Sequence, residues 1–80
     1  MRQNTAAIVS QWEPDLQEVI DSARTFVDSN EHERIQFFYK LRQERRLMAT
    51  VRGLNGLLAR PDHRDLGLSA LRSIGLEYAD

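Results

Sequence analysis

The residue types that most often carry chemistry are few in this chain, and they do not form a recognisable catalytic set. His32 lies between Glu31 and Glu33, but consecutive side chains on a helix point about 100° apart and cannot close on one metal ion. His63 lies among turn-forming residues, and the chain has no cysteine. Because no nucleophile lies beside an activating base, the sequence predicts a non-enzymatic protein with no metal and no cofactor.

One short motif invites a catalytic interpretation. Residues 63–66 read His-Arg-Asp-Leu, which matches the opening of the protein-kinase catalytic loop. That loop needs an asparagine four residues after the leucine to hold magnesium, and the residue at that position is Ala70. A chain of 80 residues is also far too short for a kinase. We interpret the match as accidental.

The strongest signal is a group of arginines in the middle of the chain. Residues 34–60 carry seven basic residues and one acidic residue, whereas residues 1–33 carry seven acidic residues and two arginines, and the net charge is -1. On one continuous helix the arginines share an arc of roughly 120°, away from the apolar residues. This separation of charge bears on association and not on fold. The arginines on the arc are Arg34, Arg42, Arg45, Arg46, Arg52 and Arg60.

An aromatic residue falls among these arginines. Phe38 lies outside the apolar arc, so the sequence predicts an exposed ring at this position. Aromatic and arginine side chains are enriched at the centres of protein interfaces, and binders of single-stranded nucleic acid combine them as well. The predicted partner-binding residues are Arg34, Phe38, Arg42, Arg45, Arg46 and Arg52.

The first element is predicted to be an amphipathic helix at about 14–29. Its apolar residues recur at steps of three and four, the helical period, and its acidic residues lie outside their arc. Pro14 is placed at the first helical position, where its missing N–H is harmless. Residues 5–12 form either a separate short helix or a kinked extension. The apolar positions are Val9, Trp12, Leu16, Val19, Ile20, Ala23, Phe26 and Val27.

A longer second helix is predicted at about 31–59. Asn30 and Glu33 have the spacing of a capping box, which marks a helix start. Pro61 ends the helix because the residue before a proline avoids the helical region. Gly53 and Gly56 each cost about 1 kcal/mol relative to alanine inside a helix. Either these glycines admit a third helix or a partner chain, or the helix frays and ends early. The apolar arc contains Phe37, Leu41, Leu47, Met48, Val51, Leu54 and Leu58.

The last element is predicted to be a short helix at about 63–74, with Gly75 in the left-handed C-terminal position. We therefore expect an all-α fold, in which an antiparallel helical hairpin (about 14–29 and 31–59) packs with this short helix in a single domain, residues 1–80. No segment approaches the roughly 18 apolar residues of a membrane span, and the N-terminus lacks the hydrophobic region of a signal peptide. With no cysteine, we expect a cytoplasmic protein.

The function expected from these features is interaction with another protein. Guanidinium groups pair with carboxylates through two parallel hydrogen bonds, and a small core favours support from a partner or a second copy, as in a homodimer. An adaptor, a chaperone-like protein or a regulatory anti-activator fits this description. The alternative is a small nucleic-acid-binding regulator that contacts phosphates through the same arginines, although the pI is not basic. Membrane binding is least favoured because the apolar arc is needed for the core.

Overall fold

The computed structural model describes residues 12–78, with the side chains of residues 12–75, and shows four helices and no strand in that range. The all-α prediction is therefore confirmed. The predicted element at residues 5–12 lies outside the described residues, except for Trp12, which is not helical. The helices are α1 (Leu16–Asp28), α2 (Glu31–Gln43), α3 (Leu47–Leu57) and α4 (Arg64–Tyr78).

Three of these helices form the main packing unit. α4 contacts both α1 and α3 extensively, α1 also contacts α3, and α2 makes smaller contacts with α1 and α3. Helices of this length are marginal in water by themselves, so burial of their apolar faces is what stabilises them. The core consists of Val19, Ile20, Ala23, Phe26, Phe38, Leu41, Leu47, Leu54, Leu57, Ala70 and Ile74.

α1 begins two residues later than the sequence analysis predicted. Asp15 is the residue that caps it: its carboxylate accepts a hydrogen bond from the Glu18 N–H (2.8 Å). In return, the Glu18 carboxylate accepts one from the Asp15 N–H (3.1 Å). This is a capping box led by an aspartate. Pro14 therefore precedes the cap, and its predicted place at the first helical position is wrong.

The predicted start of the second helix is confirmed. The side-chain oxygen of Asn30 accepts a hydrogen bond from the Glu33 N–H (2.8 Å), and the Glu33 carboxylate accepts one from the Asn30 N–H (3.1 Å). Ser29 and Asn30 are the only residues between α1 and α2, and both have extended backbones. Two polar groups thus satisfy each other at this boundary, and the helix start follows directly from the spacing of asparagine and glutamate.

The single helix predicted at 31–59 is instead two helices, α2 and α3. α2 ends in a Schellman motif: the Arg45 N–H donates to the Arg42 carbonyl (3.1 Å), and the Arg46 N–H donates to the Leu41 carbonyl (2.8 Å). Arg45 has a φ of 60°, a left-handed conformation that usually selects glycine. Because the chain turns here, residues on either side do not share one helical wheel. The predicted arginine face is therefore divided.

α4 is longer than the predicted third helix and reaches Tyr78. Gly75 lies inside α4 and its φ is not positive, so its predicted role as a left-handed cap is wrong. Gly67 marks a close approach of α4 to α3. A Cβ atom at this position would lie 2.8 Å from the Leu57 Cβ and 3.0 Å from the Leu54 carbonyl oxygen. The absence of a side chain at Gly67 is therefore what allows these two helices to pack together.

Candidate partner-binding surface

The residues predicted to bind a partner do not form one surface. They are distributed over several environments by the turn at Arg45 and by the packing of α2. Arg34 is half-buried beside α4, Phe38 is in the core, Arg46 and Arg52 contact the segment before α1, and Arg42 and Arg45 are exposed.

The prediction of an exposed Phe38 is wrong. Only 4% of its surface is exposed, and it belongs to the main core. Phe38 follows half-buried Arg34 by four residues and precedes buried Leu41 by three, so it lies on the inner face of α2. Among the described side chains, the exposed aromatic residue is its neighbour Tyr39, which is 55% exposed and whose ring meets the Phe38 ring edge-on at 5.5 Å between centroids.

Two of the predicted arginines hold the segment that precedes α1. The Arg46 guanidinium lies over the Trp12 ring, 4.7 Å from its centroid. The Arg52 Nη2 pairs with the Glu13 Oε2 at 3.1 Å. Arg46 and Arg52 therefore have structural contacts within the chain, although both remain exposed.

These two contacts contribute unequally to stability. A cation over a tryptophan face at an exposed site is worth about 0.5–1 kcal/mol. The Arg52 and Glu13 side chains are 55% and 63% exposed, so solvent screens their attraction and the pair adds little. Arg46 is consequently the more important of the two for holding the segment in place.

The two glycines of α3 have different roles, which settles the alternatives that the sequence left open. A Cβ at Gly53 would lie 2.6 Å from a methyl group of Val19 and 3.5 Å from the Pro14 Cγ, so this glycine admits α1 and the segment before it. Gly56 has open space around it and lies in the last turn of α3, which ends at Leu57. The small residue at position 53 thus serves packing within the chain.

Four exposed side chains lie near the corner between α2 and α3, and we call them the corner surface: Tyr39, Arg42, Arg45 and Met48. Met48 was predicted to lie in the core, but it is 62% exposed because the buried positions of α3 fall on the opposite side. Tyr39 and Arg42 are three residues apart and are neighbours on α2. No carboxylate among the described side chains pairs with Arg42 or Arg45.

Sequence reasoning missed a groove on another side of the molecule. It has a volume of about 360 Å³ and lies between the end of α1, the start of α2 and the middle of α4. Ser69, Arg72 and Ser73 have the i, i+3, i+4 spacing of one helical face, but nothing in the sequence indicates that Arg34 lies opposite them. The lining residues are Phe26, Val27, Arg34, Ser69, Arg72 and Ser73.

A second depression, of about 280 Å³, lies between α1, α2 and the start of α3. Its apolar part is formed by Trp12, Phe37 and Leu41, and acidic and basic side chains both line its edge. Thr50 is fully buried beside it, and its hydroxyl donates to the Arg46 carbonyl at 2.8 Å. The mixed charges of this lining do not favour any one class of ligand.

Among the described residues, no three histidine or acidic side chains are grouped so that they could hold a metal ion. Within residues 12–78, no helix combines the length and apolar character that crossing a membrane requires. Known protein families, curated proteins and solved structures were all compared with the chain, and none of them matches it.

Proposed function

We propose that this chain is a non-enzymatic protein–protein interaction module that binds an acidic partner through its corner surface. The observation that carries the proposal is the exposure of Met48, 62% of whose surface faces solvent three residues after exposed Arg45. A large apolar side chain among arginines that pair with no described carboxylate is the composition of an interface centre.

The apolar part of the corner surface suits a protein partner. Methionine is unbranched and polarizable, so its side chain adapts to irregular apolar partners. Tyr39, 55% exposed, adds a ring with a polar hydroxyl. These two side chains provide apolar contact. Arg42 and Arg45 provide two planar guanidinium groups, each of which can donate two hydrogen bonds to a carboxylate. A helix or an extended segment that carries both acidic and apolar side chains fits this combination.

The backbone at Arg45 supports the same proposal. A left-handed conformation costs a non-glycine residue about 1–2 kcal/mol, yet arginine occupies this position and its side chain is exposed. The Schellman hydrogen bonds hold the turn, so the guanidinium groups of Arg42 and Arg45 project from a fixed backbone. A side chain kept at an unfavourable backbone position is a reason to look for a function at that residue.

The charge of the chain favours a protein partner over a nucleic acid. The chain is slightly acidic overall, with a pI near 6.1, and three of the predicted partner-binding arginines, Arg34, Arg46 and Arg52, lie away from the corner surface. A nucleic-acid binder needs a continuous basic surface to follow phosphates. A second copy of this chain is an acceptable acidic partner, because exposed Glu18, Asp21 and Asp28 lie on α1. Our proposal includes an adaptor or regulatory role in the cytoplasm, consistent with a chain that lacks cysteine.

The test is a comparison of two double variants that change charge equally. Arg42→Glu with Arg45→Glu reverses the corner surface, and Arg24→Glu with Arg64→Glu reverses two exposed arginines elsewhere. Tagged versions of both, and of the unchanged chain, are used to capture partners from nuclease-treated extract of the native host, with circular dichroism to confirm folding.

We expect the corner variant to lose at least about 90% of the captured partner, since two charge-assisted pairs are replaced by repulsion. The control variant should retain it. Equal losses in both variants would show that overall charge and not the corner surface matters. A partner that is captured only when the nuclease treatment is omitted, or a salt-dependent gel shift with random DNA or RNA that the corner variant abolishes, would replace the proposal with the nucleic-acid alternative.

A further inference from the structure

We propose that Met48 is a site of reversible oxidation by peroxides, and that its sulfoxide form turns off binding at the corner surface. This inference rests on the function proposed above and adds a chemical control to it. The modified atom is the thioether sulfur, and the oxidant is hydrogen peroxide or an organic hydroperoxide. Met48 is the only sulfur-containing side chain among the described residues, and the chain has no cysteine to compete for the oxidant.

The exposure of Met48 makes its sulfur accessible to a dissolved oxidant. Met48 has 62% of its surface exposed, more than any other large apolar side chain of the described residues; the next are Tyr39, Val27 and Leu16. Exposed sulfur is the form most susceptible to oxidation. The reaction therefore needs no opening of the fold.

Oxidation at this position leaves the core intact. Met48 belongs neither to the buried core nor to the partly buried apolar residues packed against it. A sulfoxide inside a core disrupts packing, because it places a polar group among apolar ones. At Met48 the new polar group stays in water. We therefore expect the oxidised chain to remain folded, which distinguishes a switch from oxidative damage.

The oxidation step is balanced with peroxide alone. A lone pair of the Met48 sulfur attacks one peroxide oxygen, the O–O bond breaks and an S–O bond forms. The proton of the transferred oxygen passes to the departing hydroxide, which leaves as water. The sulfur loses two electrons and the peroxide gains two. The reverse step is that of a methionine sulfoxide reductase, in which two thiols become a disulfide and the oxygen leaves as water.

The sulfoxide changes the part of the corner surface that provides apolar contact. The thioether of methionine is apolar and adapts to an irregular partner. The sulfoxide is polar and chiral, and its oxygen must give up hydrogen bonds to water when a partner covers it. Arg42 and Arg45 still attract carboxylates, but the apolar contact beside them is lost. Binding should therefore weaken while the fold and the charge stay the same.

The experiment treats the tagged full chain with dilute hydrogen peroxide and then removes the peroxide. Oxidation is followed by mass spectrometry of the tryptic peptide 47–52, which contains Met48 and no other methionine. N-acetylmethionine in the same solution is the reference. The binding probe is the set of host proteins that the unchanged chain captures and that Arg42→Glu with Arg45→Glu does not.

Two variants separate Met48 from the rest of the chain. Met48→Leu keeps an apolar side chain that cannot form a sulfoxide, and it retains Met1 as an internal control. Met48→Gln replaces the thioether by an uncharged polar group of similar length. Circular dichroism of the treated chain reports whether it stays folded.

We expect Met48 to be oxidised within about threefold of the rate of N-acetylmethionine, because its sulfur is accessible. The oxidised chain should bind the probe proteins about tenfold more weakly or worse, since burial of a methionine side chain contributes at least that much. Methionine sulfoxide reductases with dithiothreitol should restore capture. Treated Met48→Leu should capture as before treatment, and untreated Met48→Gln should capture as little as the oxidised chain.

Four results would overturn the inference: oxidation of Met48 more than about tenfold slower than the reference, unchanged capture by the oxidised chain, an equal loss in treated Met48→Leu, or loss of the helical signal on oxidation. The arginine variant tests the proposed function by itself. If that variant captures the same proteins as the unchanged chain, both proposals fail. If it loses them but oxidation changes nothing, only the control by oxidation fails.

Discussion

Replacing Gly67 by alanine tests the closest contact between α3 and α4. Inside a helix this change normally stabilises by about 1 kcal/mol, because glycine loses more backbone freedom on folding. At Gly67 the added Cβ would lie 2.8 Å from the Leu57 Cβ and 3.0 Å from the Leu54 carbonyl oxygen. Neither atom is the end of a flexible side chain, so the two helices must move apart.

The expected change in the free energy of unfolding follows from these distances. Carbon atoms pack best at about 3.5–4.0 Å, so α4 has to shift by nearly 1 Å at Gly67. Leu54 and Leu57 are at most 1% exposed, and overpacking of such a site costs about 1–3 kcal/mol. After the gain in helix propensity is subtracted, Gly67→Ala should destabilise the fold by about 1 kcal/mol. Gly75→Ala lies on the same helix in open space and should stabilise by about 0.5–1 kcal/mol.

Urea unfolding of the two variants measures this difference, with circular dichroism as the signal. The urea concentrations at the unfolding midpoint should move in opposite directions. The slope of the free energy of unfolding against urea concentration should stay equal, since both variants expose the same surface when they unfold. In thermal unfolding, a difference of 1 kcal/mol corresponds to about 4–8 °C for a domain of this size. If Gly67→Ala gains as much stability as Gly75→Ala, the close approach of α3 and α4 described above is wrong.

Two further changes test the corner and the segment before α1. Arg45→Gly should stabilise the fold by about 0.5–1 kcal/mol, because glycine adopts a φ of 60° without steric cost; a lower urea midpoint would contradict the left-handed turn. Arg46→Gln removes the cation over Trp12 and should cost about 0.5–1 kcal/mol. Trp12 is the only tryptophan, so its fluorescence reports the change directly, and an unaltered emission spectrum with unaltered stability would argue against the contact.

Local signals in the sequence mark the starts of α1 and α2. The spacing of Asn30 and Glu33 predicted one capping box correctly. Asp15 and Glu18 have the same spacing and form the capping box of α1, which a helix that begins at Pro14 does not allow. The apolar periodicity correctly indicated an all-α fold, since that period depends only on which residues must be buried.

The break between α2 and α3 could not be predicted in the same way. Residues 43–47 read Gln-Glu-Arg-Arg-Leu, with no glycine, proline or asparagine to indicate a turn. The left-handed residue at the turn is Arg45, and arginine is a residue type that favours a helix, so the residue type does not indicate the turn. A helical wheel that treats residues 31–59 as one helix combines two helices whose buried faces point in different directions. This placed Phe38 outside and Met48 inside, the reverse of what the structure shows.

The extensive contact between α1 and α4 has a consequence for synthesis of the chain. α1 emerges from the ribosome before α4. The apolar face of α1 therefore stays unpacked until α4, the helix that it contacts most extensively, has been synthesised. A nascent chain that stops short of Ala70 and Ile74 leaves that face in water, where it is open to aggregation or to capture by a chaperone. The core therefore cannot be completed before α4 has emerged, and truncations that remove Ala70 and Ile74 prevent this last packing step.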